Sequence, residues 1–98
     1  MTETIVEAIR LRRLLRFYYD GHLRIVQPAT FGIHATTGNP TLKAYQVQGT
    51  SKSRVVPFWS SFIVDQVERL EMLSETFENN PPGYREQDGQ ISPIFAEL

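Results

Sequence analysis

The sequence predicts a mainly β fold of the α+β class, a small barrel or a strongly curled sheet preceded by one amphipathic helix. Two β-prone runs flank Asp20-Gly21, a dipeptide that favours a two-residue hairpin turn. Further short runs alternate apolar and polar residues at close spacing, with small turn-rich segments between them. Residues 3–13 instead repeat apolar positions at the spacing of an α-helix.

The composition is that of an ordinary globular domain. The 98 residues are 41% hydrophobic and 21% charged, and a chain of this length supports one domain. No apolar run approaches the roughly 20 residues of a membrane span, and there is no cysteine. We therefore expect a cytoplasmic protein without disulfides or thiolate metal sites.

The net charge of −1 hides an uneven distribution of charge along the chain. Residues 1–58 hold eight Lys or Arg and three Asp or Glu, whereas residues 59–98 hold two and eight. The two parts could attract each other within one molecule or across a dimer, or the basic part could face an anion. A surface on which both signs are simply solvated explains the distribution equally well.

The first predicted element is the helix over residues 3–13. Thr4 and Glu7 have the spacing of a capping box, in which each side chain bonds a free backbone N–H at the helix start. An apolar face suited to docking on a sheet follows from the 3.6-residue period. Val6, Ile9 and Arg13 form one row of this face, and Ile5 and Ala8 beside Ile9 widen it.

The hairpin around Asp20-Gly21 comes next. Both turn residues need positive φ, which glycine adopts without strain and aspartate tolerates. In the second strand, Leu23 and Ile25 share one face, and Arg24 lies on the other with Val26. Because Leu and Ile are the better core residues, we expect Arg24 on the outer, ligand-accessible face.

Three further strands are predicted at residues 30–36, 42–48 and 54–58. Between residues 59 and 73 the periodicity slightly favours a helix, although Glu68, Leu70 and Met72 alternate as in a strand. The domain is expected to span residues 1–78. Residues 79–98 open with Asn-Asn-Pro-Pro-Gly and are predicted to be a tail, either disordered or docked on a partner subunit. The apolar cluster that would dock consists of Ile91, Ile94, Phe95 and Leu98.

No pattern in the sequence specifies an enzyme. His22 and His34 have no carboxylate at metal-ligand spacing, and the common nucleophile and phosphate-loop motifs are missing. We therefore expect neither catalysis nor a cofactor. Aromatic rings and arginines on strands remain, which can stack on a ligand and hold an anion in a bidentate manner. The candidate ligand-binding residues are Arg24, Arg54, Tyr45 and Tyr19. For Tyr19 and Trp59, core packing is an equal alternative.

The order of these segments resembles the WYL domain of bacterial transcriptional regulators. The resemblance covers about residues 5–77. It begins with the helix IVEAIRLRR and the strand of Phe17 and Tyr19, and continues with Arg24 and Pro28 in RIVQP. KAYQV stands in the place of the motif that names the family, with Tyr45-Gln46-Val47 for its tripeptide. RVVPF, with Arg54, and FIVDQVERLEML resemble the last two motifs.

The resemblance implies a small Sm-like, SH3-type β-barrel with an N-terminal helix, a short helical turn near residues 59–63 and a strand near residues 67–73. It implies a regulatory module that senses an anionic ligand, a nucleotide or a single-stranded nucleic acid. Because WYL domains usually follow a winged helix that this sequence lacks, we expect a free-standing sensor. The alternative is a structural interaction module that acts as a homodimer or on a regulator protein.

Overall fold

The computed structural model describes all 98 residues and contains one α-helix, six strands and a 3-10 turn. Strands make up 53% of the chain, which confirms the mainly β prediction. The elements in chain order are α1 (Thr2–Leu11), β1 (Arg13–Tyr19), β2 (His22–His34), β3 (Pro40–Gly49), β4 (Phe58–Ile63), the 3-10 turn (Val64–Gln66), β5 (Glu68–Thr76) and β6 (Ile91–Glu97). The one helix is too short to span a bilayer.

All six strands belong to one antiparallel sheet with the order β4-β3-β2-β1-β5, and β6 pairs with the part of β2 that β1 does not reach. No ladder joins β4 to β5, so the sheet does not close into a barrel through backbone pairing. The sheet is nevertheless strongly curled, because the ring of Phe62 on β4 lies edge-on to Phe17 and Tyr19 on β1, with centroids 5.0 Å apart in both pairs. The Tyr19 hydroxyl bridges the same gap, since it accepts a hydrogen bond of 3.1 Å from the Ile63 N–H.

The predicted hairpin is confirmed. Strands β1 and β2 pair as far as Tyr19 and His22, which leaves Asp20 and Gly21 as the two turn residues. Their φ angles are 53° and 75°, the left-handed values that this turn requires. Nothing lies within 4 Å of where a Gly21 Cβ would stand, so the backbone angle alone favours glycine there.

Helix α1 packs its apolar face into the curl of the sheet. Ile5, Ala8 and Ile9 are buried, as predicted. The predicted capping box does not form: the helix begins at Thr2, Met1 is the N-cap, and no side chain caps it. Thr4 already lies within the first turn, where it cannot act as the N-cap. The core cluster consists of Ile5, Ala8, Ile9, Leu15, Phe17, Val26, Phe31, Leu42, Ala44, Phe62, Val64 and Val67.

Two predictions for the middle of the chain are wrong: the strand at residues 54–58 and the helical turn near residues 59–63. Residues 54–57 are irregular, and β4 covers Phe58–Ile63, where a helical turn was expected. Pairing with β3 decides this, since Gln46 opposes Phe58 and Leu42 opposes Phe62, which puts both phenylalanines on the inner face. The helical turn follows at Val64–Gln66. The strand expected near residues 67–73 is present as β5.

Residues 79–98 are not the predicted tail. Ile91–Glu97 forms β6, which pairs with β2 of its own chain from Thr30–Glu97 to His34–Ile91. Ile91 is only 2% exposed, and Leu98 packs against the core. The edge of β2 beyond the end of β1 gives this segment a partner within the same molecule, whereas Phe95 of the apolar cluster stays 51% exposed.

Candidate functional site

A groove of about 580 Å³ lies between the outer face of β3 and β4 and the segment of residues 83–90, which we call the facing segment. Its lining is mostly polar. Three cationic side chains line it: Lys43, Arg54 and Arg85. The residues Thr30, Ser60 and Ser61 line it as well. The aromatic side chains are Trp59 and Tyr84, and the one carboxylate is Asp88.

Strand pairing builds the first wall. Lys43 pairs with Ser61 on β4 and with Thr30 on β2. A bulge at Ala29 makes this second pairing possible: Pro28 opposes Ala44, but the next paired residue is Thr30. The extra residue shifts the alternation of β2 by one position, which turns Thr30 toward the outer face beside Lys43.

Side-chain hydrogen bonds hold the facing segment, which forms the second wall. The Trp59 indole N–H donates to the Pro82 carbonyl over 2.7 Å. Gly83 follows with φ of 81°, and a Cβ there would lie 3.4 Å from the indole nitrogen. Farther along, the Tyr84 hydroxyl donates to the carbonyl of Leu98 over 2.9 Å. The segment is therefore attached both to β4 and to the C-terminal end of the sheet.

The groove cations differ in their partners. The Lys43 ammonium donates to Asp88 Oδ2 over 2.6 Å and to Gln90 Oε1 over 2.5 Å, and its contact with Asp88 is the only salt bridge in the structure. Arg54 and Arg85 are exposed and have no salt-bridge partner. One Arg54 nitrogen donates to the Trp59 carbonyl over 2.8 Å, and the guanidinium lies 4.5 Å from the centroid of the Phe58 ring. The remaining Arg54 donors are available to a ligand.

Two groups in the groove have displaced pKa values. Burial would raise the pKa of Asp88, but the hydrogen bonds from Lys43 and from the Gln90 N–H outweigh it, so the pKa lies below its ordinary value. Burial raises the pKa of Tyr84, and the nearby carboxylates of Glu97 and Glu86 raise it further. The Asp88 carboxylate is therefore held in its charged form beside Lys43, and the Tyr84 hydroxyl in its neutral form.

Arg24 does not lie on the outer face, and the prediction that it does is wrong. It is 4% exposed and pairs across the ladder with Phe17, whose ring is in the core. Leu23 and Ile25, the predicted core residues, are only partly buried on the opposite face. The pairing of β1 with β2 selects this face, because cross-strand partners point to the same side of a sheet.

The interior gives Arg24 polar and aromatic partners but no carboxylate in salt-bridge contact. Its two terminal nitrogens donate to Gln46 Oε1 and to the Tyr19 carbonyl, both over 3.2 Å, and its Nε has no partner. The guanidinium lies 5.7 Å from the Tyr19 ring centroid and 5.6 Å from that of Phe62. Burial lowers the pKa of Arg24; the charge of Asp20 opposes this effect, and that of Arg54 adds to it.

The four predicted ligand-binding residues are thus divided between two places. Arg24 and Tyr19 meet in the interior, whereas Arg54 lines the groove. Tyr45 packs on the outer face against Trp59, with ring centroids 5.5 Å apart. Ligand binding by these four residues stays a prediction.

Sequence reasoning missed several lining residues. Strand alternation puts Lys43 on the same face as Tyr45, which is a signal that could have identified it. Tyr84, Arg85 and Asp88 fell within the predicted tail, and no local pattern distinguishes them.

The structure contains no group of three or more His, Asp or Glu side chains that could hold a metal ion. Comparison of the chain with protein-family models, curated proteins and solved structures found no match. The resemblance to the WYL domain therefore stays a prediction.

Proposed function

We propose that this chain is a binding module for a small anionic ligand with a planar ring, of which a nucleotide is the model, and that the groove holds it. The observation behind the proposal is the lining: three cations against one carboxylate, with two aromatic side chains around the same groove. A volume of about 580 Å³ lies within the range of about 300–1,000 Å³ that is usual for small-molecule sites.

The arginines supply the reason to expect an anion. Arg54 and Arg85 approach the groove from opposite walls, and neither is neutralised by a carboxylate. A guanidinium offers five N–H donors in a planar fork that matches the oxygens of a phosphate. Arg54 is also oriented before a ligand arrives, since it is held by the Trp59 carbonyl and the Phe58 ring. Pre-orientation lowers the entropy lost on binding.

The aromatic side chains supply the reason to expect a planar ring. Trp59 is held at its indole N–H by Pro82 and packs against Tyr45, so its ring is a fixed element of the wall. Stacking of a base on an aromatic side chain contributes about 1–3 kcal/mol. A groove of about 580 Å³ has the size of a small-molecule site, so a compact nucleotide fits it better than a long single strand does.

The biological role is part of the proposal. The resemblance to the WYL domain supports a ligand-sensing module of transcriptional regulation, and the curled sheet with one N-terminal helix is compatible with the Sm-like, SH3-type barrel of that family. A cytoplasmic location and a binding rather than catalytic role belong to the same proposal.

Fluorescence of Trp59, the only tryptophan in the chain, tests the proposal directly because the indole lines the groove. Adenosine monophosphate and inorganic pyrophosphate are titrated at low and at moderate salt, with excitation at the red edge of the indole band. We expect saturable changes that weaken as salt rises. The variants Arg54→Ala and Arg85→Ala should bind at least about tenfold more weakly, by the loss of one charge-assisted contact.

Lys52→Ala is the matched control, because Lys52 is an exposed cation near Arg54 in sequence that does not line the groove. It should bind as the wild type does. An equal loss of affinity in all three variants would mean that binding depends only on general charge attraction. The proposal would be refuted if neither probe changed the fluorescence and equilibrium dialysis also detected no binding.

A further inference from the structure

The groove already contains an anion that belongs to the protein itself. The Asp88 carboxylate contacts the Lys43 ammonium. The side-chain oxygen of Gln90, from the same segment, accepts a second hydrogen bond from that ammonium. Lys43 is therefore the one groove cation whose charge is neutralised internally. Its side chain is 17% exposed and so is that of Asp88, which means that the pair lies within the wall rather than in open solvent.

Building on the proposed anion binding, we propose that Asp88 is an internal competitor for the ligand: its carboxylate occupies the position on Lys43 that an anionic group of the ligand takes when it binds. The groove then has two arrangements, one with Lys43 bound to Asp88 and one with Lys43 bound to the ligand. The free energy that stabilises the contact between Lys43 and Asp88 has to be overcome when the ligand binds, so it weakens the observed affinity for the ligand.

The surrounding backbone allows the Asp88 side chain to leave without releasing the facing segment. The Asp88 carbonyl accepts a hydrogen bond of 3.1 Å from the Ile91 N–H, and the Gln90 carbonyl accepts one of 2.8 Å from Ala35. These bonds do not involve the carboxylate. Gly89, the next residue, has open space around it, since a Cβ there would meet nothing within 4 Å. A rotation of the Asp88 side chain breaks its contact with Lys43 and the 2.9 Å hydrogen bond that its Oδ1 accepts from the Gln90 N–H, and it leaves these backbone bonds in place.

The exchange also changes the charge that a ligand meets. While Asp88 contacts Lys43, the ligand meets the uncompensated arginines and an ion pair with no net charge. After the exchange it meets a third cation. Asp88 thereby sets the affinity for anions, and weak anions that cannot displace it are excluded from Lys43.

The test compares Asp88→Asn with the wild type in a Trp59 fluorescence titration with inorganic pyrophosphate at constant ionic strength. Asparagine keeps the size of the side chain and removes its charge, so we expect pyrophosphate to bind about tenfold more tightly, as removal of a close competing charge predicts. Glu86→Gln is the matched control, because Glu86 is exposed on the same segment and does not contact Lys43. It should raise affinity by no more than about twofold through screened, longer-range attraction.

A double variant isolates the role of Lys43. If Asp88 acts by occupying Lys43, Asp88→Asn should give no gain in a chain that already carries Lys43→Gln. Thermal melts check that each variant is folded at the assay temperature. Asp88→Ala, which also lacks the carboxylate, is a second variant for the same titration. In the wild type, the carboxyl ¹³C resonance of Asp88 should shift when pyrophosphate is added.

The outcomes separate this inference from the proposed function. If Asp88→Asn binds pyrophosphate no better than the wild type does, the competitor role of Asp88 is overturned while the groove remains a binding site. An equal gain from Glu86→Gln overturns it too, since the effect would then be general. A ¹³C resonance that stays in place overturns it independently of folding. If neither the wild type nor Asp88→Asn binds pyrophosphate, the proposed function fails and the inference fails with it.

Discussion

Replacement of Arg24 by methionine tests whether a buried charge without a carboxylate partner stabilises this fold. Arg24 is 4% exposed, makes two hydrogen bonds of 3.2 Å and has an unpartnered Nε. Methionine keeps an unbranched apolar stem of similar reach and removes the charge. Alanine removes both, so the two variants separate the contribution of the guanidinium from that of the stem.

The opposing terms are of similar size. Burying an ion costs several kcal/mol even after relaxation. Against this, each hydrogen bond to a charged group contributes about 1.5–3 kcal/mol, and the rings of Tyr19 and Phe62 contribute about 2 kcal/mol together. Because removal of the guanidinium also leaves the buried Gln46 Oε1 without a donor, we expect Arg24→Met to lower the free energy of unfolding by about 1–3 kcal/mol. Arg24→Ala adds a cavity in a packed interior and should cost about 2–4 kcal/mol more than methionine.

Urea denaturation of the two variants and the wild type measures the difference. Arg10→Met is the control, because Arg10 is exposed on α1 and its replacement should change stability by less than about 0.5 kcal/mol. The decisive quantity is the gap between methionine and alanine at position 24. If Arg24→Met destabilises as much as Arg24→Ala, the guanidinium contributes strongly to stability and the balance of terms given above is wrong.

Four further predictions follow from the same structure. Gly21→Val should destabilise by about 1 kcal/mol or more in a thermal melt, because a β-branched residue resists φ of 75°. Tyr19→Phe removes the hydroxyl that accepts from the Ile63 N–H and should cost about 1 kcal/mol in urea denaturation. Asp88 has a folded pKa below its unfolded value, so the stability it contributes is present above pH of about 4 and is lost as pH falls through the folded pKa. The stability advantage of the wild type over Asp88→Asn should therefore shrink between pH 6 and pH 3. Deletion of residues 91–98 should unfold the chain or lower its melting temperature strongly, since β6 covers an edge of β2.

Each of these predictions has an outcome that contradicts it. An unchanged melt for Gly21→Val would mean that the turn tolerates other backbone angles. Equal stability of Tyr19→Phe and the wild type would show that water satisfies the Ile63 N–H as well as the hydroxyl does. If the difference in stability between the wild type and Asp88→Asn does not depend on pH, the ion pair of Asp88 does not contribute to the stability of the fold. A deletion variant with the melting curve of the full chain would make β6 dispensable.

Local signals explain the features that the sequence predicts correctly. The Asp20-Gly21 turn depends on backbone angles that two residues determine between themselves. The buried face of α1 depends on a period within one segment. Both can be recognised without knowing what lies across the fold.

The face on which Arg24 lies depends instead on partners distant in sequence. Strand β2 carries apolar residues on both faces, so alternation alone leaves two choices, and residue type favours the one with Leu23 and Ile25 inside. Pairing with Phe17 and the amide of Gln46 reverses that choice. The bulge at Ala29 then shifts the alternation again, which the sequence of β2 does not signal.

The groove depends on the part of the chain that was predicted to be a tail. Its second wall is the facing segment, which immediately precedes β6, and β6 is held by pairing with β2. A segment rich in Pro, Gly and polar residues has the composition of a loop whether it is free or enclosed between two strands. Whether the facing segment is free or enclosed depends on where the apolar cluster that follows it in the sequence packs.

The uneven distribution of charge has a related explanation. The basic and acidic parts of the chain meet in one salt bridge, between Lys43 and Asp88. The arginines mostly pack against aromatic rings or donate to carbonyls, as Arg24 does to Tyr19 and Arg54 to Trp59. Such partners orient a guanidinium but leave its charge uncompensated, because rings and carbonyls carry no net charge. Arg54 therefore presents an oriented and unneutralised charge at the groove, and the proposed binding of an anion rests on this charge.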